Sequence, residues 1–262
     1  GHGARAEKLF GAIVEKDKVT GYYDVPGPAE ENEYVSDIES RVDGNTAHTV
    51  WIKDLEYSYH PEVIKYSSFD LSNKCWSKPE ELFSIDEERD KVNLYSSPPS
   101  LTCVKENVYC VWSLERGYSS SMDKKESKVE PGVYFCGKTD GHWDKPVKLV
   151  NSGRQPRVLV NNLGTVYVFW IEESGLFYKY KTGADWSSRC LAVEDKEISK
   201  RKIGFPPFAS PPLSISVDQD NNLHIVYIHR KLMAFENPEH KFKPEELVYI
   251  KLTPVTNTVE TK

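Results

Sequence analysis

Nine arginines are spread along the 262 residues, and three of them, Arg116, Arg154 and Arg230, stand where apolar runs give way to polar ones. A guanidinium is a planar fork of donors matched to a carboxylate or phosphate, so an arginine at a strand end is a candidate anion clamp. Arg154, in "RQP" at 154–156, fits that description; its structural alternative is an ion pair with an acid such as Glu172 or Asp218. Arg116 and Tyr118 share the polar, serine-rich stretch "LERGYSSSMDKKESKVEP" at 114–131, which reads either as an adaptable binding loop or as a tolerated insertion. Arg154, Arg116, Tyr118, Arg230 and Glu172 are therefore the candidate ligand-binding residues. No residue is assigned a catalytic role. No GxSxG, HExxH or phosphate-cradling glycine loop occurs, and the seven histidines form no metal-ligand spacing, so neither metal nor cofactor is expected. His48 and His224 fall within apolar runs and read as structural.

The frame behind these residues is periodic. "QPRVLVNNLGTVYVFWI" at 155–171 and "PPLSISVDQDNNLHIVYI" at 211–228 share a proline, an apolar run, an Asn-rich turn and a second run ending in an aromatic residue. Aligned on that aromatic, the chain gives Trp51, Trp112, Trp170 and Tyr227, spaced by 61, 58 and 57 residues. The turns "DGN" at 43–45, "KEN" at 105–107, "NNLG" at 161–164 and "DQDNN" at 218–222 are rich in residues that tolerate a left-handed backbone, so each joins two strands as a hairpin. A third β-rich run follows each anchor, at 62–69, 132–139, 175–182 and 246–253. Polar turns then lead to Trp76, Trp143 and Trp186, which open fourth strands. Four short antiparallel strands per unit, recurring about every 57 residues, predict an all-β fold of β-propeller blades. Near-continuous apolar runs such as "VYVFW" suit strands buried on both faces.

Four repeats are visible, over roughly 40–83, 97–150, 154–193 and 210–253, within one propeller domain spanning 4–262; Gly1-His2-Gly3 reads as an expression scar. "KLFGAIVEKDKVTGYYDV" at 8–25 predicts two strands about a turn at Lys16-Asp17-Lys18. Residues 8–35 would then close the sheet edge left open by repeat four, making a five-bladed ring. In the alternative the chain is part of a larger propeller and 27–41 is a linker.

The repeat order of proline, apolar run, turn, apolar run, Trp, then Gly-apolar-Tyr, then a turn before Trp resembles the sialidase-like propeller superfamily. "SFDLSNKCW" at 68–76 and "KTDGHW" at 138–143 are similar to its Asp-box, S-x-D-x-G-x-x-W, in degenerate form: the first has one residue too many and the second is too short. The resemblance implies a fold shared by enzymes and non-enzymes. For sialidase chemistry it implies three arginines around a carboxylate, a Tyr-Glu nucleophile pair and an acid Asp, and a full triad would use Arg116, Arg154 and Arg230 together. Other five-bladed glycosidases of similar design place two or three carboxylates on inner strands. The inner runs "LTCV", "RVLV" and "LSISV" carry none.

Composition narrows the partners. The net charge of −6 argues against nucleic acid or an anionic membrane surface, and no apolar stretch reaches the roughly 18 residues of a membrane span. Cys75, Cys103, Cys110, Cys136 and Cys190 are odd in number and lack CxxC spacing, which predicts buried free thiols. With no N-x-S/T sequon and no signal-peptide core, this leans intracellular, whereas the superfamily resemblance leans extracellular. Regular strands, loops of very unequal length and bare inner runs predict a non-enzymatic propeller presenting loops to a protein or glycan. The alternative is a glycoside hydrolase of the sialidase-like superfamily.

Overall fold

Val, Ile, Tyr, Phe and Trp dominate the runs between polar turns, and β-branched and aromatic side chains favour a pleated, packed surface. In the computed structural model those runs are strands, 21 in all, and no helix occurs among the described residues. The structure describes residues 10–15, 18–24, 33–55, 61–84, 94–116, 129–196, 198, 213–229 and 246–253. They fall into two compact units divided between Val158 and Leu159.

A separate two-stranded sheet pairs β1 (Phe10–Glu15) with β2 (Lys18–Asp24); of the anticipated turn, residues 16 and 17 lie outside the described residues and Lys18 begins β2. The first sheet runs β3 (Glu33–Asp43), β4 (Thr46–Leu55), β5 (Pro61–Asp70), β6 (Cys75–Trp76), with β7 (Glu80–Ser84) also on β5. In the second sheet β8 (Leu94–Ser96) and β9 (Ser100–Val104) both pair β10 (Asn107–Arg116). On the other side of β10 lies β11 (Gly132–Thr139), which carries β12 (His142–Trp143) and β13 (Val147–Val150). The third runs β14 (Arg154–Val160), β15 (Val166–Glu172), β16 (Gly175–Thr182), β17 (Asp185–Trp186), with β18 (Cys190–Glu194) on β16. The fourth has three described strands, β19 (Leu213–Val217), β20 (Leu223–His229) and β21 (Glu246–Leu252).

The repeat predicted from the sequence is a repeat of register. Trp51, Trp112 and Trp170 are at most 1 % exposed and Tyr227 only 3 %. Three residues before each anchor, the second strand sets a ring diagonally against one on the third strand: His48 with Tyr66, Tyr109 with Phe135, Tyr167 with Tyr178, and His224 with Tyr249. Such diagonal neighbours lie within reach of aromatic side chains. Each complete third strand is irregular where the fourth begins to pair, between Ile64 and Lys65, Val133 and Tyr134, and Leu176 and Phe177. The glycine of the Gly-apolar-Tyr signature belongs to that junction. A Cβ on Gly132 would lie 2.2 Å from the Val150 carbonyl oxygen, and one on Gly175 2.0 Å from that of Val193. The anticipated fourth strands are each split in two, a short pair of residues ending in the predicted Trp and then a longer piece.

In the first unit, the face of sheet one carrying Val50, Ile64, Tyr66 and Leu82 packs on the face of sheet two carrying Leu101, Val108, Cys110, Trp112, Leu114 and Cys136. Phe83 reaches across to Trp112, ring centres 5.5 Å apart, and Trp143 meets Tyr66 edge-on at 5.0 Å. In the second unit, Tyr167, Phe169, Ile171 and Leu176 of sheet three pack on Leu213, Leu223, Ile225 and Tyr227 of sheet four. The first turns are also tied from one repeat to the next: Asp43 Oδ2 accepts from the Glu106 amide (3.2 Å), and Asn221 Oδ1 from the Asn162 amide (3.0 Å). The fold is all-β, built of antiparallel sheets stacked face to face within each unit.

Truncating Trp112 to Ala should cost about 3–5 kcal/mol, because a fully buried indole between two sheets leaves a cavity that neither sheet can close; the shift of the denaturant midpoint measures it. A second expectation concerns pH. His48 Nδ1 lies 2.7 Å from the Tyr66 hydroxyl, and burial holds the imidazole below its ordinary value, with Asp43 opposing and Lys138 adding to the shift. The folded state thus resists a proton that the unfolded chain accepts near pH 6.5. Stability should be fully present above that pH and fall as the medium is acidified through it, and His48→Gln should flatten this part of the profile in urea titrations at pH 5–7.5.

Candidate functional site

The first strands of sheets one and two make the same local step. Along β3, Ser36 pairs Ile52 and Glu39 pairs Val50, so Asp37 and Ile38 together face Trp51. Along sheet two, the Ser97 amide donates to the Ser113 carbonyl and Ser100 pairs Val111, so Pro98 and Pro99 together face Trp112. Two residues against one is a β-bulge, a device that bends a strand and re-aims its side chains, and it recurs beside active sites. In sheet three, Gln155 and Pro156 hold the corresponding place in sequence. Asp37 and Gln155 both adopt φ 49°, in the left-handed region that non-glycine residues avoid.

These bulges concentrate polar groups within the first unit. Glu39 Oε1 is buried and 2.7 Å from Arg41 Nη2, yet their geometry is that of an ion pair without an aligned hydrogen bond. Arg41 donates from Nη1 to the Ser40 carbonyl (3.0 Å), while the Ser40 hydroxyl meets that of Thr49 (2.9 Å). Arg157 donates from Nη1 to the Pro156 carbonyl (3.1 Å). Burial lowers the pKa of its guanidinium, an effect that the nearby Glu39 carboxylate opposes and Arg41 reinforces. Ser100, on β9 between them in chain order, accepts from the Val158 amide at 3.3 Å. Gln155 is 8 % exposed, and its Oε1 has no hydrogen-bond partner. One carboxylate, two guanidiniums and an unsatisfied amide thus lie on neighbouring strand heads. Such a set binds hydroxyls and anions, and a second carboxylate, Asp37, stands two residues from Glu39 on the same bulge.

The sequence candidates are placed unevenly. Arg154 heads β14, partly buried and engaged with its surroundings. Arg116 ends β10, and its side chain, like all of Tyr118 and Arg230, lies outside the described residues. Glu172 accepts from Trp170 Nε1 (2.7 Å) and from Arg189 Nη1 (2.8 Å). Asp218 accepts from the Asn222 amide and side chain, both at 2.8 Å, and from His224 Nε2 at 2.9 Å; the Asn222 side chain leads in holding its carboxyl well below the usual range. Of the Asp-box-like turns, the first is a cap: Asp70 accepts from the Ser72 and Asn73 amides and the Asn73 side chain. The second, shorter turn is a tight hairpin with Asp140 and Gly141 both at positive φ. Among the described residues no group of three or more His, Cys, Asp or Glu is placed to hold a metal ion.

Reading the inner runs as bare of acids overlooked the first sheet, whose first strand begins at Glu33 and carries Asp37, Glu39 and Asp43. Arg157 is the second arginine of "RQPR", and its signal lies in directly following the Gln155-Pro156 step.

No protein-family model matches the chain, and no characterised protein matches it in sequence. Solved structures do resemble it. An α-L-arabinofuranosidase from Fusarium graminearum, in complex with an iminosugar inhibitor, aligns at 12 % identity over 83 % of this chain and 62 % of its own, TM-score 0.50. A mutant of the NanB sialidase from Streptococcus pneumoniae aligns at 8 % over 75 % and 48 %, TM-score 0.50. A xylan β-1,4-xylosidase from Bacillus halodurans aligns at 12 % over 78 % and 38 %, TM-score 0.46. The likeness is one of fold. It accords with the sialidase-like repeat pattern, and the chain spans less than two thirds of the length of each of these proteins.

Gln155→Gly should raise stability by about 1 kcal/mol by relieving the left-handed strain and removing the unpartnered oxygen. Thermal denaturation of the variant beside the parent reads this directly.

Proposed function

We propose that the chain is a glycoside hydrolase domain of the sialidase-like kind, with its chemistry at the bulge of β3. The observation that carries this reading is the buried edge of Glu39 beside Arg41 and Arg157, with Asp37 on the adjoining bulge residue. Glycoside hydrolysis needs two carboxyl groups of different character flanking one bond. Glu39, 2.7 Å from the Arg41 guanidinium and near that of Arg157, serves as nucleophile or general base; Asp37, on the exposed side of the bulge, serves as its acid partner. Arg154 at the head of β14 holds a polar or anionic substituent of the substrate, and Arg116 and Tyr118 on the 114–131 stretch extend that recognition. The same reading takes the fold to be a five-bladed ring closed by the N-terminal strands. Support comes also from the solved structures of similar fold, which include an arabinofuranosidase and a sialidase.

A second reading, a binding module without chemistry for a protein or glycan, is favoured by the Glu39–Arg41 ion pair, since a guanidinium 2.7 Å away already occupies the carboxylate oxygen that a nucleophile or base would need free. A panel of aryl glycosides that includes an arabinofuranoside and a sialoside separates the two. Turnover is expected on at least one member, and Glu39→Gln should lower kcat/KM by about 10²–10⁴-fold with the fold intact by circular dichroism. No turnover on the whole panel, with a glycan array or pull-down still returning a ligand, would leave the binding module in its place.

A further inference from the structure

Cys110 and Cys136 take no part in the proposed site. In the register of β10 and β11 they stand directly opposite each other, and each is at most 1 % exposed. Opposed residues of an antiparallel pair have Cα atoms about 4.5–5.5 Å apart, inside the window of about 4.4–6.8 Å that a disulfide spans. Their thiols are close enough to hydrogen-bond to one another. The next opposed pair on the same face, Trp112 and Tyr134, stacks with ring centres 6.0 Å apart, which fixes the register and with it the alignment of the sulfurs. Of the other cysteines, Cys103 is paired with Val108, Cys75 is exposed at the start of β6, and Cys190 opposes Tyr178. None of these has a cysteine across from it.

We propose that Cys110 and Cys136 form a cross-strand disulfide when the chain folds in the presence of a disulfide oxidant, locking the strands that flank the 117–131 stretch. The chemistry is two exchanges. One cysteine thiolate attacks a disulfide such as oxidised glutathione, forming a mixed disulfide and releasing one glutathione thiolate; the second cysteine, losing its proton, attacks the protein sulfur of that mixed disulfide and displaces the other glutathione. Two protein thiols are oxidised, one small-molecule disulfide is reduced to two thiols, and the protons pass to solvent and the leaving thiolates.

The geometry also sets when this occurs. Once sheet one covers sheet two, the pair is sealed among Val50, Ile64, Tyr66 and Leu82. Burial, and then the neighbouring Cys136 thiol, hold the Cys110 thiol well above its ordinary range, so few thiolates form there. Exchange therefore belongs to the folding chain, and the folded reduced protein should react slowly. Linked, the pair constrains the unfolded state and prevents β10 and β11 from slipping past each other at the base of the 117–131 stretch.

The test is to unfold the full chain with reductant, refold it in oxidised or in reduced glutathione, isolate the monomer with native tryptophan fluorescence, and alkylate it in denaturant before peptide mapping. The oxidised preparation should be about 2 Da lighter before alkylation, the loss of two hydrogens. It should contain a linked peptide pair with Cys110 and Cys136, and its denaturant midpoint should exceed that of the reduced preparation. Cys75, Cys103 and Cys190 should alkylate. Cys136→Ala should abolish both the link and the midpoint difference; if that variant does not fold, the peptide map of the parent decides alone. Native oxidised protein with both Cys110 and Cys136 alkylated, or with the link at another cysteine, would overturn the proposal.

Discussion

A sheet that is apolar on both faces cannot stand in water, so every sheet here depends on what lies against it. The dependence is visible by comparing equal positions. In sheet one, Ile64 pairs Ile52 and Tyr66 pairs Val50, and both side chains are 1 % exposed beneath sheet two. In sheet four, Leu247 and Tyr249 hold the same register places, opposite Ile228 and Val226, yet are 72 % and 57 % exposed. The same residue class in the same local geometry is core in one sheet and surface in another. Stability therefore resides in the stacking between sheets more than in any strand pairing, as expected when apolar burial supplies most of the favourable free energy.

Stacking on both faces also dictates where polar chemistry can sit. In the first two sheets the second and third strands are largely hidden, and buried hydroxyl and imidazole groups on them are partnered: His48 by Tyr66, Ser113 by Ser97, and Ser67 by Ser77. First strands lie at sheet edges, and the bulges opposite Trp51 and Trp112 re-aim their side chains. Glu39 and Ser100 directly follow those bulges. The exposed turns at the other end of the first hairpins are occupied with their own backbone, as Asp218 with Asn222 and Asn161 with Leu163 and Thr165, which leaves their carboxylates and amides little capacity for a ligand.

The repeat was legible because its landmarks answer to strong local rules. A large aromatic stands in each second strand, a glycine opens β11 and β16 where a Cβ would strike the backbone, and the hairpin turns are rich in Asn, Asp and Gly. The start of the first sheet was not legible. "EYVSDIESRVD" carries four acids and an arginine, and the bulge at Asp37 and Ile38 shifts the alternation, so Val35 is buried while Ile38 is 45 % exposed. A two-residue period read through a bulge comes out as noise. The site residues Asp37 and Glu39 were lost with that strand. Arg154 was found because it stands beside a proline that keeps its place in other repeats, whereas Gln155 and Arg157 are told apart from structural residues only by backbone angle and burial.

The bulge itself shows which positions carry more than structure. Sheet two makes the two-against-one step with Pro98 and Pro99, whose rings cannot enter the left-handed region, so the step does not require a positive φ. Asp37 makes it at φ 49° instead, and Gln155, in the corresponding place in sequence, adopts the same φ, at a cost of about 1–3 kcal/mol each by the usual measure of such strain. Gln155 adds a buried carbonyl oxygen without a donor. Packing alone would be served as well by the proline solution already present in the same chain. The strained alternative differs from it in placing an acid and an amide, in the stead of two prolines, on the strands that also bear Glu39, Arg41 and Arg157, and the proposed ligand is what those side chains would serve.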